Sequence, residues 1–368
     1  MARTRYWAAQ QVAATVDIWV VIAQHSGFVG AWRLMGVSRK SRSGSKNWLA
    51  TLPGLVISGG SGWYEDIVDD VWRLNLGTLR WEPMPALLLA TYNHACCTVR
   101  GALVVLGGAW IHDCHPATSR VEILSGGQEG EFVDLPYFDW HDIEGASAVV
   151  VEESDSATGQ VLLLGGYYDY NNVGENVLST VLQVDLASGA CTPLPTLHTS
   201  RFDFAAVRLP DGRVACTGGF QSIEIDPALT SAEVWGLPTN AALDAARIQT
   251  ALPALNVGRG GCRGCVMSDG RLAVLGGRNS YDGRCFMSSC EALRVGKDEQ
   301  WSFLPPMRHP RAGFACAAVA GCIIVAGGYN TKSVEAYDEV LDRWFQLPCV
   351  VPIDEDYGRL GGMGSALM

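Results

Sequence analysis

The sequence predicts an all-β protein, a ring of repeated four-stranded units of the β-propeller kind, preceded by a short helical segment. Three observations carry this. A short apolar run ending in a Gly pair occurs six times: at Gly59 and Gly60, Gly107 and Gly108, Gly165 and Gly166, Gly218 and Gly219, Gly276 and Gly277, and Gly327 and Gly328. The second glycines are spaced by 48, 58, 53, 58 and 51 residues, and self-similarity at that period is the signature of propeller blades. A Glu follows the pair, and Glu122, Glu233 and Glu291 each stand 14 positions after the second Gly, while Glu335 stands 7 after. A Trp then precedes a Pro near the end of the unit, as in "LRWEPMP" (Trp81), "EQWSFLPPM" (Trp301) and "DRWFQLP" (Trp344).

Composition agrees. The 368 residues include 42 Gly and are 48% hydrophobic, which allows a sizeable core and many tight turns in place of long helices. The net charge of −11 is unevenly placed. Residues 1–50 hold seven basic residues against Asp17 alone, a net +6 that leaves −17 for the remainder. An acidic body repels phosphate backbones and argues against nucleic acid as a ligand. The basic cluster Arg39, Lys40, Arg42 and Lys46 reads as a solvated helix end. The 12 Cys are scattered through strand-like runs such as "HACCTV" and "RVACTGG", the usage of small buried hydrophobes in a reducing compartment. None of the ten Asn lies in a glycosylation sequon, so a cytoplasmic or nuclear location is expected. Gln10, Gln11 and Asp17 interrupt the N-terminal apolar tendency, so neither a signal peptide nor a membrane span is expected.

In chain order, the first element is helical. The stretch from Asp17 to Leu49 spaces apolar residues at helical intervals, with Val29, Trp32, Leu34 and Val37 on one stripe. Each later unit begins with a strand such as "RAGFACAAV", continues into the apolar Gly-pair strand, passes a polar loop to the Glu-bearing strand and ends on the Trp-bearing strand. The Gly-pair runs are rich in β-branched residues and read as strands buried on both faces. The first unit lacks an opening strand, and the tail "YGRLGGMGSALM" looks like an opening strand with no unit after it. The tail is therefore expected to complete the first blade, so that the two chain ends protect the sheet edges. The third and fourth units lack the Trp.

The doubled Gly, the Glu near the third strand and the Trp in the fourth resemble the Kelch repeat over residues 50–368. The resemblance implies a six-bladed β-propeller with four antiparallel strands per blade. The stretch "WRLMGVSRKSRSGSKNWL" resembles the second half of an F-box, with Ser38 in the place of a Cys and without the usual opening Leu-Pro. That division gives a helical, F-box-like segment at residues 1–49 and a propeller at 50–368. The F-box resemblance implies a cullin-RING ligase adaptor as a partner through residues 12–48.

Little in the sequence points to chemistry. GxSxG, Walker A and HExxH motifs do not occur. Cys262 and Cys265 have CxxC spacing, but on a strand positions i and i+3 face opposite ways and cannot share one metal. His112, Asp113, Cys114 and His115 form a metal-like mix on one loop, which reads as polar surface. The Glu set is spread around the ring and reads as structural carboxylates accepting donors between strands. No cofactor or metal is expected. Some Kelch propellers are enzymes, among them copper-radical oxidases and a sialic acid mutarotase, so an enzyme or small-molecule binder using the axial pocket is the alternative. The loops after the Gly pairs carry Trp63, Tyr64, Trp110, His112, Tyr167, Tyr168, Tyr170, Phe220, Arg278, Tyr281 and Tyr329, residue types that dominate protein-binding hot spots. The expected function is protein binding on that loop face, without enzymatic activity. For Tyr167, Phe220 and Tyr329 packing against a neighbouring blade is an equal alternative.

Overall fold

In the computed structural model, residues 16–62, 67–110, 119–135, 143–152, 159–168, 176–223, 227–236, 249–281, 285–296, 300–353 and 360–368 are described. Six four-stranded antiparallel sheets follow one another around a central axis. From the axis outwards, blade one is Gly364–Leu367, Leu55–Ser58, Val71–Asn75 and Arg80–Met84. Blade two is Ala95–Val99, Ala102–Leu106, Val121–Ser125 and Glu131–Asp134, and blade three is Ser147–Glu152, Gln160–Leu164, Val181–Asp185 and Cys191–Leu194. Blade four is Ala205–Arg208, Val214–Thr217, Ala232–Trp235 and Gln249–Leu252. Blade five is Arg263–Val266, Leu272–Leu275, Cys290–Leu293 and Ser302–Leu304, and blade six is Ala315–Val319, Cys322–Ala326, Ser333–Asp338 and Arg343–Val350.

Position within a blade follows from residue type. The Gly-pair strands are buried throughout, as in Leu55–Ser58 and Cys322–Ala326, save for half-buried Ala102 and Gln160 at the start of two of them, because each lies inside its own sheet with a neighbouring blade on both faces. Inner strands such as Ala95–Val99 and Ala315–Val319 alternate buried and half-buried residues, with one face on a blade and the other on the axis. Small residues dominate these strands because six of them must meet at the centre.

The tail closes the ring. Its strand Gly364–Leu367 pairs antiparallel with Leu55–Ser58, in the register Leu55 to Leu367 and Ser58 to Gly364. A second device is repeated once per blade. Asn93, Gly145, Asp203, Gly261, Gly313 and Gly362 all have positive φ, between 52° and 67°. Each donates its backbone N–H to the carbonyl of the preceding one, at 2.7–2.9 Å, and Asn93 donates to Gly362 to complete the circle. These six bonds form a closed belt around one mouth of the channel.

Among the described residues, three helices precede the sheets: α1 (Val16–His25), α2 (Gly27–Leu34) and α3 (Arg39–Leu49). Ser38 caps α3, accepting from the Ser41 N–H while the Ser41 hydroxyl accepts from the Ser38 N–H. Ala23, Phe28, Val29, Ala31, Trp48 and Leu49 are buried in one core with Leu55, Leu74 and Leu76 of blade one and Ala315, Ile324 and Ala336 of blade six. The Phe28 N–H donates to Ala320, and the Trp32 indole N–H donates to Leu76. Ala320 and Leu76 lie at the ends of strands opposite the Gly pairs, so the helices sit on the face away from the belt. Val37 departs from the sequence-based stripe: it follows α2 in a turn and is 65% exposed. Arg39, Lys40, Arg42 and Lys46 are exposed on α3. Among the described residues, no helix is long and apolar enough to cross a membrane, and all eleven cysteines are free thiols.

Candidate functional site at the belted mouth

The loops after the Gly pairs and the loops entering each inner strand meet on one face. The residue after each pair bridges to the residue before the belt position: Ser61 to Gly361, Tyr92 to Ala109, Glu144 to Tyr167, Phe202 to Phe220 and Gly260 to Arg278. In blade six the Tyr329 N–H donates to Ala312. The loop residues therefore take six equivalent backbone positions around the mouth, and their side chains make the differences.

Buried ion pairs brace three of these positions. In blade four, Arg201 donates to the carbonyls of Gly218 and Ser231, to the Ser231 hydroxyl and, at 2.9 Å, to Glu233. Glu233 also accepts from the N–H groups of His198 and Thr199. Arg259 repeats the pattern with Gly276, Ser289 and Glu291 (2.6 Å), and Arg311 repeats it with Gly327, Ser333 and Glu335 (2.5 Å). All six side chains are buried. Glu122 has the same place in blade two, where its carboxylate accepts the Leu88 N–H at 2.8 Å. The Arg partners escaped the sequence reading, although each opens a motif of its own: "RFDFA", "RGGCR" and "RAGFA".

Indole groups fasten neighbouring blades. Trp301 donates to the Pro253 carbonyl and Trp344 to that of Pro305, each at 2.8 Å and each in the preceding blade. Blade four has no Trp at that position, and Trp235 of its third strand makes the equivalent bond to Pro195 at 2.9 Å. Trp81 of blade one instead packs against the core shared with the helices.

Several of the sequence-derived loop residues converge. Tyr167 lies 4.7 Å from Phe202, and Phe202 lies 5.7 Å from Phe220 and 5.5 Å from Tyr281, between ring centroids. The Arg278 guanidinium stands 4.7 Å from the Tyr281 ring, 5.4 Å from Phe220 and 5.9 Å from Tyr329. Phe220 has no exposed surface, so it supports the cluster and cannot itself touch a partner. Trp110 is 39% exposed, and Tyr168 is half-buried in a ribbon with Asn176 and Val177. Trp63, Tyr64, His112 and Tyr170 lie outside the described residues, as do Asp113, Cys114 and His115.

The sequence reading overlooked the second set of mouth residues, which come from the entering loops: Tyr92, Asn93, Glu144, Phe202 and Asp203. The Tyr329 hydroxyl donates to Asn93 Oδ1 at 3.4 Å. Burial raises the Asp203 carboxyl above its ordinary value, against the opposing charges of Arg278 and Arg263. Burial and the charge of Glu144 keep the Tyr92 phenol protonated.

Beneath the mouth the axis holds a cavity of about 200 Å³ lined by residues that include His94, Cys96, Ser147, Arg263, Cys316 and Ser365. Burial, helped by the Arg263 charge, lowers the His94 imidazole to about 3, so it stays neutral, with its Nε2 2.9 Å from Ser58 Oγ. Burial pushes the Cys96 thiol up to about 12. Neither group is poised near neutral pH as a general base or a thiolate nucleophile. Cys262 and Cys265 are both buried, and among the described residues no group of three or more His, Cys, Asp or Glu could hold a metal.

Residues 310–350, the last blade with its entering loop, match the Kelch motif family. Six four-stranded blades around one axis make the chain a six-bladed β-propeller, and its last blade is the one that the Kelch motif matches. Similar proteins carry the same repeat in their names. An F-box/kelch-repeat protein of Arabidopsis thaliana is 45% identical over 105 residues, 23% of this chain and 26% of that protein. A second from the same plant, SKIP30, is 35% identical over 98 residues, 23% of this chain and 28% of that protein. Kelch-like protein 26 of Danio rerio is 28% identical over 85 residues, 22% of this chain and 14% of that protein. The matches thus span at most about a quarter of each relative.

Proposed function

We propose that this propeller is a non-enzymatic, intracellular interaction protein, with a protein partner on its belted face and a docking segment for a cullin-RING ubiquitin ligase at residues 12–48. The observation that carries the reading is the opposition of the two surfaces. Helices α1 to α3 share a core with blades six and one on the face away from the mouth, and two of the similar proteins are named F-box/kelch-repeat. A ligase subunit bound to the helices would leave the mouth free for a substrate. Among the described residues of the helical segment, Val21, Ile22 and Val37 are the exposed large apolar ones, and they are its candidate contacts. Against the rival reading of an axial enzyme or small-molecule site, the cavity of about 200 Å³ falls below the roughly 300–1,000 Å³ of ordinary ligand pockets. Its His and Cys are also unsuited to catalysis.

The test is affinity purification with mass spectrometry of the full chain beside two surface variants. Deleting the helices would bare the shared core, so substitutions are the cleaner probe. Val21→Asp with Val37→Asp should lose cullin-ligase subunits and keep the other partners. Trp110→Ala with Tyr168→Ala should do the reverse. Absence of ligase subunits from the unaltered chain would remove the adaptor role.

A further inference from the structure

Among the described residues, five of the six seams between blades are filled by an aromatic side chain at one repeated place. Across the third and fourth strands, Trp81 pairs with Leu74, Phe132 with Leu124 and Trp344 with Tyr337. Trp301 stands one step before Ser302, which pairs with Ala292, and so holds the same place in blade five. In blade four the partners are exchanged, and Trp235 of the third strand pairs with Gln249 of the fourth. Each of these rings packs into the core shared with the preceding blade. Blade three departs from the pattern. Its pair is Val184 with Cys191, and its core with blade two contains no aromatic residue among the described ones.

That seam holds a cavity of about 330 Å³. Val99, Val104, Ile123 and Leu135 of blade two line it together with Leu186, which follows the third strand of blade three. The Val104–Ile123 pair corresponds to the Ala215–Val234 pair of blade four, which lies in the core that holds Trp301. The cavity is thus the place of the indole, left open because Cys191 is too short to fill it. Val133, 60% exposed, lies at its rim. Arg100 and Ser125, its polar lining residues, are exposed too, so the slot is reached from solvent. Arg100 stands in the turn opposite the Gly-pair end of blade two, so the opening lies away from the belted mouth.

The size falls within the roughly 300–1,000 Å³ of ordinary ligand pockets. An apolar cavity holds water poorly and admits aromatic molecules. Two facing sheets leave a narrow space between them, which selects a flat molecule over a globular one. We propose that the seam between blades two and three is a small-molecule site, which takes a flat bicyclic aromatic of the indole class in the place that Trp301 and Trp344 hold in their own seams. The site depends on neither the loop face nor the helices, and it adds a ligand to a protein read above as a scaffold for protein partners.

The experiment is isothermal titration calorimetry of the full chain with indole and with adamantanol, an apolar molecule of similar size that is not flat. Indole should bind with a dissociation constant below about 1 mM, within reach of so small a ligand. Adamantanol should bind about tenfold more weakly or worse. Saturating indole should also raise the unfolding midpoint of the parent, because it binds only the folded seam. Cys191→Trp supplies the missing ring from the chain itself. It should raise the midpoint without ligand and lose indole binding. If the larger residue overpacks the seam and the variant does not fold, Cys191→Leu carries the test, since it fills part of the slot and should weaken indole binding about threefold or more. No indole binding at millimolar concentration, equal binding by the parent and the folded Cys191 variant, or adamantanol binding as tightly as indole would overturn the site.

Discussion

At the scale of single residues, the Glu positions show how one side chain behaves in two settings. Glu291 and Arg259 are both fully buried and meet at 2.6 Å. Removing one partner of such a pair strands a charge in the interior. Arg259→Met is expected to cost about 3–5 kcal/mol, read from guanidinium unfolding followed by tryptophan fluorescence. Glu122 has only backbone donors and the more distant Arg120 charge to support it, and Glu122→Gln should cost no more than about 1.5 kcal/mol in the same assay. Their titration separates them further. Burial opposes ionisation of Glu335, but hydrogen bonds from Arg311 and from the Arg308 N–H outweigh it, and the carboxyl lies below its ordinary 4.5. The stability it contributes is present above 4.5 and is lost as pH falls through the lower folded value. At Glu122 burial prevails over the Leu88 bond, and the carboxyl lies above 4.5. Its ionisation penalty is absent below 4.5 and complete above the raised folded value. Between about pH 6 and pH 4, therefore, Glu335→Gln should lose less stability than the parent and Glu122→Gln more. Parallel slopes for all three proteins would contradict both assignments.

At the scale of elements, the Gly pair does two jobs, and they can be measured apart. Gly218 has φ +67°, and a Cβ there would meet the Arg259 carbonyl at 2.3 Å. Gly212 in a nearby turn has φ +86° and nothing within 4 Å. Gly212→Ala should thus show only the left-handed backbone cost, about 1 kcal/mol. Gly218→Ala should add a displacement of the entering loop that Arg259 braces, for a total above about 2 kcal/mol, with chemical unfolding as the measure. Equal losses would mean that the pair serves only the turn. This repeat is why so much of the fold was legible in the sequence. The strands, their order and their closure by the tail follow from short motifs recurring about once per blade. The mouth was less legible, because ring closure decides which loops meet. Tyr329 and Asn93 touch across 236 positions, and nothing local to either announces the other. Burial was equally hidden: Phe220 and Arg278 occupy the same place after their Gly pairs, yet only Arg278 keeps exposed surface.

At the scale of the whole molecule, stability depends on how the ring closes. A ring of sheets has no edges only if its last join holds. Here that join is made by a short segment at the far end of the chain. Residues 360–368 supply the inner strand paired to Leu55–Ser58, the Gly361 bridge to Ser61 and the Gly362 link that completes the belt. Leu360 and Met363 add to the core that joins the helices with blades six and one. Removing these residues would open the belt at two bonds, bare one edge of Leu55–Ser58 and unseal that core together. Loss of residues 360–368 should therefore lower the unfolding midpoint of the whole propeller and broaden its transition, as cooperativity between blades weakens. A nine-residue synthetic peptide of that sequence, added in trans, should move the midpoint back in a concentration-dependent way, as strand addition to an open sheet edge does. A truncated chain that unfolds at the parent's midpoint, with no response to the peptide, would show that the six blades hold together through their seams alone, with the Trp301, Trp344 and Trp235 bonds rather than the belt as the fastening.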